Sequence, residues 1–151
     1  MRIYFLALAI TLAILGCADS IKHDEMLAGK RAIEFAQVVF INHDLDRGYA
    51  LVADAGKRHV PLDKFKETIT RMHPRTFPTS VTATDYEPMP GEKAIYIFLT
   101  GQNAAEQFFY RLTLEGTAAN DYKVLKLDQG GGMFSAASRK QPFNTSLSTH
   151  P

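Results

Sequence analysis

The spacing of apolar residues changes at Thr79, and that change sets the fold class. Before it, the period is helical. Ile33, Ala36 and Phe40 fall at i, i+3 and i+7, with Ala32, Phe35 and Val39 beside them. This predicts a helix from Met26 to about Asn42 with a broad core-facing stripe. Asp44 is placed to cap a second helix, Leu45 to about Ala53, where Tyr49 and Val52 share a face and Gly56 follows as a terminator. Leu62, Phe65, Ile69 and Met72 predict a third helix that opens at Pro61 and closes at His73-Pro74. After Thr79 the period is two, and strands are expected at about 79–88, 93–100, 105–115 and 121–128. Their separators are Pro88-Met89-Pro90-Gly91, Gly101-Gln102-Asn103 and Gly116 to Asn120. Links this short join antiparallel neighbours. The expectation is an α+β domain over residues 26–129, with N-terminal helices on a curved four-stranded antiparallel sheet. A flexible tail, 130–151, follows it, in which Met133, Phe134 and Phe143 are the residues able to dock back.

The strands are apolar on both faces. Ile95, Ile97 and Leu99 alternate with Ala94, Tyr96 and Phe98; Phe108, Tyr110, Leu112 and Leu114 alternate with Phe109, Arg111, Thr113 and Glu115. Such strands are covered on both sides. The helices supply one cover, and a pocket ligand, a partner sheet or the C-terminal tail supplies the other.

Ahead of the domain lies a short apolar run. Arg2 and the amino terminus supply positive charge, and Ile3 to Leu15 are apolar except Thr11. As a helix this run spans roughly 20 Å, short of a hydrocarbon core of about 30 Å. A cleaved leader fits better than a permanent span. The run ends in Ile14-Leu15-Gly16-Cys17, which resembles the lipobox of bacterial lipoproteins. The resemblance implies removal of residues 1–16, lipid on the thiol and amine of Cys17, and a tether over 17–25. It also implies palmitate-type acylation and a membrane partner in a Gram-negative envelope, facing the periplasm. Ala18 follows Cys17 directly and Asp19 comes one later, an order that in such lipoproteins favours the outer membrane over the inner.

Removing residues 1–16 from 151 leaves 135, enough for one domain. Cys17 is the only cysteine, so disulfides, cysteine zinc sites and cysteine nucleophiles are excluded. Without Arg2, sixteen basic residues balance sixteen acidic ones, which argues against a nucleic-acid partner.

Helices followed by an antiparallel meander is the order of the NTF2-like, cystatin-related fold. Asp46-Arg47-Gly48-Tyr49-Ala50-Leu51, Pro61-Leu62-Asp63-Lys64-Phe65 and Tyr122-Lys123-Val124 resemble its second helix, its third-helix opening and its closing strand. The resemblance covers residues 26–129 and implies a cone between helices and sheet, with a homodimer through the outer sheet face.

Chemical motifs are sparse. His23, His43, His59, His73 and His150 are scattered without metal-ligand spacing, and Gly130-Gly131-Gly132 lacks the Lys-Ser/Thr of a phosphate loop. No metal, cofactor or catalytic set is expected. The reading is a non-enzymatic binding or interaction module whose ligand is an envelope protein or a small apolar molecule. The alternative is an isomerase-like enzyme using the cone. Asp85 would be its carboxylate, raised by desolvation, and Tyr96 and Tyr110 its hydroxyl donors. Arg111 would hold a ligand carboxylate, or else join a cross-strand ion pair.

Overall fold

The computed structural model describes residues 21–130 and 139–150. The leader, Cys17, and Met133 and Phe134 of the tail lie outside the described residues. Helix α1 (Glu25–Ala36) starts where Asp24 Oδ1 accepts the Leu27 N–H at 2.9 Å. It runs into a wider π-helical segment, Gln37–Ile41, so the expected single helix changes pitch at its end. Helix α2 (Leu45–Ala50) is capped by Asp44 as expected, through a 3.0 Å bond from Arg47 N–H. The two caps make a direct prediction. Asp24→Ala and Asp44→Ala each lose about 1 kcal/mol, seen as a lower urea midpoint at unchanged slope.

The second expected helix ends early, at Ala50 instead of about Ala53, and an unexpected helix follows it. Leu51 and Ala53 pair instead with Val124, by Val124 N–H to Leu51 O at 3.0 Å and Ala53 N–H to Val124 O at 2.8 Å. The chain then turns into α3 (Asp54–His59). Gly56 does not terminate a helix; it lies inside α3, where an added Cβ would meet Leu125 O at 2.9 Å. Its role is close approach of helix to strand. Helix α4 (Leu62–Met72) follows Pro61 and buries Phe65 and Ile69.

Strands β1 (Ser80–Pro88), β2 (Ala94–Gln102), β3 (Gln107–Thr117) and β4 (Asn120–Gln129) form the expected meander. The sheet has five strands, however, not four. Strand β5 (Gln141–Ser148) pairs antiparallel with β1, giving the open order β4-β3-β2-β1-β5. Part of the segment read as a flexible tail is therefore an edge strand. Phe143 and Leu147 pack against the core, and a Cβ at Gly29 would lie 2.6 Å from Leu147 Cδ1 and 2.8 Å from Phe143 Cζ. Thr149 Oγ1 accepts the Val81 N–H at 2.9 Å. One core joins Ala28, Ala32, Phe35, Phe40, Phe65 and Ile69 of the helical half to Ile95, Ile97, Leu112 and Leu114 of the sheet.

Candidate functional site

The end of α4 carries His73 into the core, where it is 4 % exposed. Its Nδ1 lies 3.1 Å from Ile69 O and its Nε2 2.7 Å from Tyr110 Oη. A carbonyl only accepts, so Nδ1 carries the proton and Nε2 accepts from the phenol. Aromatic rings enclose the pair. Phe77 stacks on His73 at 4.4 Å, and Phe40 stacks on Tyr110 at 4.7 Å. Burial pushes the His73 pKa below the usual imidazole value; the Ile69 bond and the Glu106 charge oppose this without reversing it. Burial also pushes the Tyr110 phenol well up, so it stays protonated.

This arrangement has a pH consequence. The folded state resists a proton that the unfolded chain accepts near pH 6.5. The neutral pair's contribution is thus fully present above that pH. It falls as pH drops from about 6.5 toward the lower folded pKa, and levels off below it. Between pH 7 and 5 the protein should lose more unfolding free energy than His73→Gln does, by urea titration. Equal slopes would sink the assignment.

A cleft of about 400 Å³ opens beside this pair, lined by Met72, Arg75, Thr76, Glu106, Phe108 and Phe109. Phe109 is 40 % exposed there. A second, apolar gap of about 220 Å³ lies between α3, α4 and β4, lined by Phe35, Val52, Val60, Phe65, Ile69 and Leu127.

The four candidate pocket residues do not converge. Tyr110 pairs with Leu99 and faces the helices. Arg111 pairs with Phe98 and Asp85 also pairs with Phe98, on the opposite face, where Tyr96 lies too. Tyr96 and Arg111 do meet, with the guanidinium 4.7 Å from the ring centroid. Arg111 also donates to Asp128 at 2.9 Å, the cross-strand ion pair considered from sequence, and Lys126 reaches the other Asp128 oxygen at 2.8 Å. Burial acts to raise the Asp128 pKa, but the bonds from Lys126 and Arg111 prevail and hold it below the usual value. Lys140 Nζ sits 4.2 Å from the Phe98 ring centre on the same face. His73, read from sequence as a helix end, is that and also the buried partner of Tyr110; His-Pro after a helical repeat carried half of this signal.

Among the described residues no group of three or more His, Cys, Asp or Glu is arranged to hold a metal ion. No helix among them is long and apolar enough to cross a membrane. No protein-family model matches this chain, and neither characterised proteins nor solved structures show significant similarity to it.

Proposed function

We propose that the chain is a lipid-anchored lipoprotein of a Gram-negative envelope whose NTF2-like domain is a non-enzymatic binding or interaction module. The leader ending in Cys17 supports the anchor, and the helices-then-meander order supports the fold assignment. The observation that carries the module reading is the filled space between helices and sheet. Phe35 and Phe40 are 0 % exposed and Phe65 8 %, all packed between helices and sheet. An isomerase-like reaction needs a carboxylate and a hydroxyl donor facing one substrate. Asp85 and Tyr110 lie on opposite faces, and the Tyr110 hydroxyl is already engaged by His73; Tyr96 shares the Asp85 face, but that face is turned away from the helices and the Tyr96 ring is covered by the Arg111 guanidinium at 4.7 Å.

The apolar gap beside α3 supports a second reading, a small apolar ligand. Its 220 Å³ is under the roughly 300–1,000 Å³ usual for small-molecule sites. Native mass spectrometry of residues 18–151, purified gently without added ligand, separates the two. The module reading expects an unliganded monomer or homodimer. A defined extra mass that Val52→Phe removes would replace it with the ligand reading.

A further inference from the structure

The start of the domain is fastened to one end of the sheet. Lys22 O accepts the Ala118 N–H of the β3–β4 turn at 2.8 Å. His23 Nε2 lies 3.1 Å from Glu92 O of the β1–β2 turn, and its Nδ1 3.3 Å from Tyr122 Oη. The Asp24 N–H donates to the same Tyr122 oxygen at 2.9 Å. Both turns are at one end, since Gly116 N–H donates to Lys93 O at 2.9 Å. Chain entry is thus fixed by bonds from consecutive residues, rather than left to a loose tether reaching position 25.

Cys17 is five residue steps from Lys22, and five steps span at most about 18 Å whatever their conformation. We infer that the end carrying the β1–β2 and β3–β4 turns faces the lipid headgroups at that short range. The end carrying the Arg75–Glu106–Phe109 cleft then points away from the membrane. This rests on the lipid at Cys17 proposed above. Strand β3, eleven residues from Gln107 to Thr117, sets the separation of the two ends at about 34 Å. The cleft therefore opens away from the lipid surface.

Charge does not produce this orientation. At the turn end, exposed Lys22, Lys93 and Lys123, with Arg31, stand near the exposed acids Asp24, Glu92, Glu115 and Asp121; Glu115 pairs with Lys123 across the strands and Asp121 is bound by Arg31 at 2.8 Å. The balance is near neutral, so a short tether and the docked entry act alone, and the orientation is insensitive to salt.

The test uses the full acylated protein in phosphatidylcholine vesicles that carry a headgroup quencher. Lipid occupies the Cys17 sulfur, so Ala119→Cys at the turn end or Gln102→Cys at the other end carries the dye. Quenching several-fold stronger at position 119 is expected, unchanged by high salt. It should weaken when a flexible Gly/Ser linker of about 20 residues is inserted between Ser20 and Ile21. Equal quenching at both positions, or stronger quenching at 102, in protein that floats with the vesicles overturns the orientation alone. Protein that fails to float overturns the anchor, and the orientation with it.

Discussion

Phe40→Ala is expected to cost about 3–5 kcal/mol, the range for removing a fully buried aromatic ring. Phe40 is 0 % exposed and lies in the π-helical segment after α1. Its ring stacks on Tyr110 at 4.7 Å, meets Phe35 edge-on at 6.2 Å and contacts His73 at 5.2 Å. Removing it leaves a cavity and loosens the wall that keeps the His73–Tyr110 pair dry. Domains of this size are stable by only about 5–15 kcal/mol, so the variant should be partly unfolded at 37 °C. Phe40→Leu, which keeps most of the volume, should lose much less. Equilibrium urea unfolding of both variants decides it, and a loss under about 1 kcal/mol for Phe40→Ala would show that the core is not packed as described.

Ending the chain at Lys140 is expected to be nearly as damaging, at about 3 kcal/mol. The two apolar side chains of β5, Phe143 and Leu147, are half-buried against α1, and full burial of such a side chain contributes about 1.5–3 kcal/mol. The truncation also removes Thr149 from the buried Val81 N–H. It bares the β1 edge, a template for pairing with other chains. The truncated protein should therefore show both a lower urea midpoint and concentration-dependent association on size exclusion. Gly29→Val attacks the same contact from the helix side and should cost about 1–3 kcal/mol by overpacking, without baring the edge. If truncation leaves the midpoint and the monomer peak unchanged, β5 does not belong to the folded sheet.

These two elements also mark where the sequence was legible and where it was not. The three hairpins of the meander, the Asp44 cap and the start and end of α4 were readable, because period, turn residues and capping side chains are local signals. Strand β5 was not. Its sequence Gln-Pro-Phe-Asn-Thr-Ser-Leu-Ser is mostly polar, with only Phe143 and Leu147 turned inward, as suits an edge with one neighbour. The early end of α2 was hidden for another reason. Its cause is pairing of Leu51 and Ala53 with Val124, more than seventy residues away in sequence. The π-helical turn at Gln37–Ile41 carries no local marker at all.

The candidate site was legible by half. Alternation along β3 already put Tyr110 and Arg111 on opposite faces, and the structure keeps them there. The Tyr96–Arg111 contact follows from register, which single strands do not reveal. Asp85 was harder still, since the bulge between Ala83 and Asp85 shifts its register. His73 needed the long-range partner Tyr110 before its burial could be understood.

We propose that lipid on Cys17 holds a folded binding module at a membrane. Intact mass measurement of the mature protein, extracted from membranes with detergent, tests it most directly. The expected product is a chain that begins at Cys17 and carries added acyl mass. Cys17→Ser should lack that mass and leave the membrane fraction while keeping the same urea midpoint. A wild-type chain of unmodified mass in the soluble fraction would contradict it.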